Sequence, residues 1–322
     1  DAVLEGSVRR SGNKARVTLQ LIDVSSEENL WAESYDRNLT DILALQREVA
    51  RAVAGEIRLA LTPEEERRFD ASRAIDRDAY EAYLKGTHYL NPGLTQESLM
   101  NAIASFELAI DKDPTYAPAH LGLSRALSNL TVRFRPPTEV MPQALAAVLR
   151  ALELDTNLTE AHAQLGSIRY VWEWDWEGAE AEFLRALQLS PTSVDALSAY
   201  ASFLVCVGRL EESVALQQRA VQLDPVSART LRALGWVYGF ARRYDDAIEH
   251  LLQTIELHPT DFRAHFYLAW NYWATGRHSE ALASLERARQ VHPAPEDDPF
   301  FVAVYGWMHG VLGRSTEAAR SR

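Results

Sequence analysis

The sequence predicts a mainly α-helical solenoid of about six to seven helix pairs, preceded by a small partial α/β module. Three observations carry that expectation. Pro191, Pro225, Pro259 and Pro293 recur at a constant interval of 34 residues. The residues between them keep step: turns at Gly208-Arg209, Arg242-Arg243 and Gly276-Arg277, plugs at Leu210, Tyr244 and His278, and small residues at Ser213, Ala247 and Ala281 and again at Ala220, Thr254 and Ala288. Upstream of about position 36, apolar and polar residues alternate with a period of two instead, which is the pattern of strands.

Each 34-residue unit reads as two antiparallel helices. Small residues at the crossings let the backbones approach, and a proline cannot continue the second helix, so it marks the end of the pair. A single pair cannot bury its apolar face, so successive pairs must stack. The period and its pattern resemble the tetratricopeptide (TPR) repeat.

Composition bounds the rest. The chain has 322 residues, 47% of them hydrophobic and 24% charged, and these are globular values. A net charge of −12 disfavours a nucleic-acid surface and a polybasic membrane patch. One cysteine, Cys206, excludes an intrachain disulfide and a cysteine-based metal cluster. It sits after the apolar run Phe203-Leu204-Val205 and is expected to be a buried, inert thiol. No run of 18 apolar residues is present, so neither a membrane span nor a signal peptide is expected within these residues. The chain begins at Asp1 rather than Met, and both ends read as cut from something longer.

Residues 1–62 form the first module. Val3 to Val8 and Ala15 to Ile22 alternate, with Ser11-Gly12-Asn13 as turn chemistry between them, so a hairpin is expected. A third strand is expected from Asn29 to Tyr35. Thr40 or Asn38 then caps a helix carrying Ile42, Leu45, Val49, Val53, Ile57 and Leu61. Three strands and a helix fall short of a two-layer domain, so partner strands are expected before Asp1. Leu4-Glu5-Gly6-Ser7-Val8-Arg9-Arg10, Leu19 to Asp23, Leu30-Trp31-Ala32-Glu33-Ser34-Tyr35-Asp36-Arg37 and Ile42 to Ala50 resemble the second half of a TolB amino-terminal-like (FlgO-like) domain. That module is similar in placement to one preceding TPR arrays in bacterial multidomain regulators. The resemblance implies an upstream output domain (a Ser/Thr kinase, a class III nucleotide cyclase or a winged-helix DNA-binding domain) and does not choose among them. It leaves the compartment open between cytoplasm and periplasm.

Residues 63–78, beginning Pro63-Glu64-Glu65-Glu66-Arg67-Arg68, read as a charged linker, and residues 79–322 as the solenoid. The first repeat takes Tyr83, Gly86 and Tyr89, then Ala102, Phe106, Ala109 and Pro114, around the turn Asn91-Pro92-Gly93-Leu94. The second takes Ala119, Leu123, Ala126 and Leu127, then Ala144, Val148 and Ala151, with Arg133, Arg135, Pro136 and Pro137 in its loop. The third takes Leu165, Gly166, Ala179, Phe183, Ala186 and Pro191. Three regular repeats follow. Glu296-Asp297-Asp298 makes an acidic insert between Pro295 and Pro299, and a seventh unit starts at Phe301, Tyr305 and Gly306, continuing through Gly313 and Ala318. Its truncation would leave an apolar face, so some self-association is expected.

No phosphate-binding, zinc-protease, nucleophile-elbow or kinase motif occurs. His120, His162 and His265 fall at one repeat position on three first helices, too far apart to converge on a metal, and read as packing or surface groups. No cofactor is implied. In the cluster Trp172, Trp174 and Trp176, the last takes the plug position and is expected in the core; the other two read as structure or as an exposed patch.

The stripe with functional promise is Trp236, Trp270 and Trp307, one per unit at the same position. By resemblance, first helices of TPR folds line the concave face, and this position looks into the groove. Arg229, Arg232, Phe240, Arg263, Phe266 and Trp273 hold neighbouring groove positions. Aromatics with arginines suit peptide capture by stacking and by pairing with carboxylates. The same tryptophans could equally pack against the next unit's helix. The expected function is thus a non-catalytic protein- or peptide-binding region of a larger signalling protein, binding no nucleic acid itself. The alternative is the regulatory tail of an enzyme, or of a winged-helix regulator, whose head lies outside the chain.

Overall fold

A computed structural model describes residues 2–11, 14–23, 26, 28–38, 48–49, 51–53, 55, 75–90, 95–131, 134–292 and 294–311. The chain divides into two compact units, Asp1–Tyr80 and Glu81–Arg322.

In the first unit, β1 (Ala2–Ser11), β2 (Lys14–Asp23) and β3 (Asn29–Asn38) form an antiparallel sheet in sequence order. Ser11 pairs with Lys14 at the hairpin end, and Leu21 faces Trp31 just before a bulge at Leu21/Ile22. The period-2 pattern does what it predicts: Val17, Leu19, Leu21, Trp31 and Tyr35 share one face, and Leu19 and Tyr35 are buried there with Val49, Ala52 and Val53 of a following helical stretch. On β1 the same face is bare, with Leu4 and Val8 exposed. The third strand runs three residues past its expected end at Tyr35. The expected turn at Gly12-Asn13, the cap at Thr40, most of the first helix and residues 63–74 of the charged linker lie outside the described residues, as do Asn91 to Leu94.

The helical unit alternates first and second helices. The pairs are α1 (Arg77–Leu90) with α2 (Gln96–Lys112), α3 (Ala117–Thr131) with α4 (Pro137–Leu154), and α5 (Thr159–Ile168) with α6 (Trp176–Leu189). Next come α7 (Val194–Cys206) with α8 (Leu210–Leu223), α9 (Ala228–Phe240) with α10 (Tyr244–Leu257), and α11 (Phe262–Ala274) with α12 (His278–Val291). Then α13 (Pro299–Val311) opens a further unit. First helices also pack on the first helices of neighbouring repeats.

The periodic residues explain the pairing. Phe106, Phe183, Leu251 and Leu285 are fully buried between helices. Gly122 and Gly86 face the Phe106 ring so closely that an added Cβ would sit 2.4 and 2.6 Å from it. The turn position needs a positive φ: Gly208 (79°) and Gly276 (75°) supply it freely, while Arg242 (59°) holds it in the repeat between. Each turn ends in an arginine that pairs with the acid three residues on, as Arg209–Glu212 (2.6 Å), Arg243–Asp246 (2.6 Å) and Arg277–Glu280 (3.0 Å). Arg243 and Arg277 also lie over the rings of Tyr238 and Tyr272.

The histidines are turn locks. His120, His162 and His265 each hydrogen-bond through Nε2 to the carbonyl six residues back, on Pro114, Thr156 and Pro259, at 3.0 to 3.1 Å. The acidic insert begins as a 3-10 turn, Pro295–Asp297, but Asp298 is buried. Its Oδ1 accepts from Phe301 N at the start of α13, and its Oδ2 lies 3.2 Å from His292 Nε2.

Two expectations need correction. Cys206 is exposed rather than buried, because it falls on the last turn of α7, where the apolar run leaves the core. Desolvation still pushes its thiol pKa up, away from a reactive thiolate. Trp176 is 38% exposed and so only half in the core, lying against Tyr170 and Phe203. The preceding π-helical turn, Arg169–Glu173, displaces this plug: it ends at Trp174, which is 71% exposed with φ 58°. Trp172 packs against the core of the first repeats.

Candidate functional site

First helices α3, α5, α7, α9 and α11 bring Arg125, Gln164, Asp195, Arg229, Arg232, Asp261 (at the α11 cap) and Arg263 around one concavity of about 670 Å³. Its lining holds four arginines against two aspartates, so it is locally basic in an acidic chain.

The charges form two clamps. Asp195, in the first turn of α7, takes Arg125 Nη2 from α3 at 3.0 Å and Arg229 from α9. Burial works to raise the Asp195 carboxyl, but Arg229 and Arg125 outweigh it and hold it below the usual carboxylate range. Asp261 caps α11 by accepting from Arg263 N and Ala264 N at 3.0 and 3.1 Å, and its other oxygen takes Arg232 of α9. Beside it, His258 Nε2 donates to Val226 O at 2.7 Å, joining the loops that precede α9 and α11.

Arg232 lines the same concavity but is committed to Asp261. It and Asp261 are nearly buried (14% and 12% exposed), so it ties repeats together first. Arg229 is paired but 57% exposed, and Arg263 lines the concavity with its guanidinium 5.5 Å from the Phe262 ring centre.

The aromatic residues gather one to three turns further along the same helices. Trp236, Gly239 and Phe240 of α9, Phe266, Tyr267, Trp270 and Asn271 of α11 and Phe300 of α13 enclose a smaller recess of about 220 Å³. Trp236 lies 4.8 Å from Phe240, ring centre to ring centre. Trp270 stacks on Trp307 (5.9 Å), and Trp273 meets Trp307 edge-on (4.9 Å). Phe240, Trp270 and Trp307 stay exposed, whereas Phe266 is buried against Phe300 and Phe301. Trp270 and Trp307 thus both pack between units and present open ring faces, while Trp236 is half-buried. Sequence reading missed Arg125, Asp195, Asp261 and Asn271. The two aspartates open helices and so looked like ordinary first-turn acids, and Arg125 sits in a repeat outside the strict 34-residue phase.

Residues 192–260 and 232–299 match tetratricopeptide-repeat profiles. A Rhizobium meliloti protein named "Putative adenylate cyclase 3" is 34% identical over 165 residues; the match takes in 51% of this chain and 28% of that relative. Among solved structures, the human IFIT1 dimer with m7Gppp-AAAA is 20% identical with a TM-score of 0.63, covering 76% of this chain and 57% of that one. The Cut9–Hcn1 hetero-tetramer of the APC/C is 20% identical with a TM-score of 0.52, covering 67% and 40%. At these identities the structures share the fold. Residues 192–299, which span α7 to α12, thus carry tetratricopeptide repeats.

Proposed function

We propose that this chain is a non-catalytic scaffold that captures a protein or peptide in its concavity, as the sensor or regulatory region of a larger bacterial signalling protein. The observation that carries this is the meeting, along α9 and α11, of a net-basic cavity with open aromatic faces at Phe240 and Trp270. Guanidinium groups pair with carboxylates, and exposed indoles supply rigid apolar contact. The sheet unit, with its TolB-like words, is the proposed connection to the rest of the protein, in the division 1–62, 63–78 and 79–322.

A second reading makes this region the regulatory tail of an enzyme, and the cyclase-named relative favours a nucleotide cyclase head over a kinase or a winged helix. The two readings share the groove. They differ only in what it controls.

The test is peptide-library binding to the purified chain beside a Trp236→Ala, Trp270→Ala, Arg263→Ala variant whose fold is checked by circular dichroism. Binding by the parent and loss in the folded variant supports the groove. Because IFIT1 was solved with a capped oligonucleotide, a short RNA is included. Tight RNA binding at physiological salt, or turnover of ATP, would overturn the reading.

A further inference from the structure

Asn271 lines the aromatic recess and is 98% buried, with 2% of its surface exposed. Its Nδ2 donates to Tyr267 O at 2.8 Å, which fixes the amide orientation, and its Oδ1 is buried with no hydrogen-bond partner. The other lining groups are Gly239 and the rings of Trp236, Phe240, Phe266, Tyr267, Trp270 and Phe300. Gly239 stands directly against that oxygen with no side chain of its own: a Cβ built there would sit 2.9 Å from Oδ1. A buried acceptor in an apolar box is costly until a donor reaches it.

Resting on the groove reading above, we propose that this recess is a single-side-chain pocket for a tryptophan or tyrosine of the bound peptide, whose N–H or O–H donates to Asn271 Oδ1. At about 220 Å³ the space suits one large side chain rather than a whole small-molecule ligand. Tryptophan and tyrosine are the side chains that present an aromatic body with one hydroxyl or N–H donor. The neighbouring charges argue against a cation. Arg229 and Arg263 lie seven residues before Trp236 and Trp270 on the same helices, so the cavity beside the recess is positive. That offset is about 10 Å along a helix and about three residues of extended peptide. The ligand is therefore a peptide with an acidic residue about three positions from its tryptophan or tyrosine.

The probe is a fluorescently labelled Gly-Asp-Ala-Ala-Trp-Gly peptide, with the tryptophan replaced in turn by tyrosine, phenylalanine, leucine and lysine. Tryptophan and tyrosine peptides are expected to bind about fivefold more tightly than the phenylalanine peptide, the effect of one net hydrogen bond. Asn271→Leu should erase that difference, and Gly239→Ala should weaken the tryptophan peptide by covering Oδ1. The ligand-side comparison needs no protein variant, so it stands even if a variant misfolds. Equal binding of phenylalanine and tryptophan peptides, tightest binding by lysine, or no response to Asn271→Leu would overturn the pocket. If acidic peptides without an aromatic bind, and answer to Arg229→Ala and Arg263→Ala alone, the groove stands and the pocket falls. If no peptide binds, both fall.

Discussion

Arg125 on α3 reaches past α5 to Asp195 on α7, 3.0 Å from Nη2 to Oδ2, so one ion pair joins repeats that are not neighbours in sequence. Arg229 of α9 closes on the same carboxylate from the other side. Asp195→Asn removes both pairs with little change in shape. The groups are 32–57% exposed, so the loss of stability should be at most about 1 kcal/mol, read from urea unfolding. Binding of acidic peptides should strengthen, because two guanidinium groups are released into the concavity. Unchanged or weaker binding would count against the basic cavity as the ligand site.

The same carboxylate predicts an acid limb. Its folded pKa is depressed, so its contribution is present above the unfolded value, about 3.9, and is lost as pH falls through the folded one. Urea midpoints should fall below about pH 4 in the parent and fall less steeply in Asp195→Asn.

His162 and His265 occupy one repeat position and make the same carbonyl bond, yet should titrate in opposite directions. The hydrogen bond that His162 Nδ1 donates to the Glu182 carboxylate, 2.6 Å away, raises His162 above the ordinary imidazole value, while desolvation lowers His265. His162 contributes stability below about pH 6.5 that is lost as pH rises through its higher folded pKa. His265 takes up its proton less readily folded than unfolded, so its effect is a loss as pH falls below about 6.5. Proton NMR titration of the two imidazoles checks this. His162→Gln should remove the alkaline limb only.

Arg242 stands where Gly208 and Gly276 hold a left-handed turn. Arg242→Gly should therefore stabilise the chain by about 1 kcal/mol, the cost of placing a side chain at positive φ. Trp174→Gly should act in the same direction at the end of the π turn, since the ring is mostly exposed and little burial is lost. Thermal unfolding at fixed pH measures both.

Gly122→Ala should destabilise by about 1–3 kcal/mol, because the new methyl meets the Phe106 ring, which is 1% exposed and fixed between helices. Phe106→Leu in the same background should recover part of the loss, while the single Phe106→Leu change leaves a cavity. A double-mutant cycle in urea separates the two.

The residues that fix the fold are legible in the sequence because the constraint repeats. Small residues at crossings, prolines at boundaries and alternation in β1 to β3 each follow from a local rule applied many times. Cys206 was misplaced because helix phase, and not the apolar run around it, decides which face a terminal residue takes. The aromatic half of the site was legible as a stripe with the repeat period. Of its polar half, Arg229, Arg232 and Arg263 were legible as groove positions, but Arg125 and the aspartate partners were not. Arg125, Asp195 and Arg229 meet only through stacking of first helices across repeats, and the vacant valence of Asn271 exists only once Tyr267 O has taken its amide N–H.

Asp261 gives one oxygen to the start of α11 and the other to Arg232 of α9. A carboxylate arriving in the concavity competes for that guanidinium with the residue that holds a helix end in place. Occupancy and local order are then thermodynamically linked through a single side chain: an anion that draws Arg232 away must loosen the seam between two repeats, and a substitution that tightens the seam must weaken the anion.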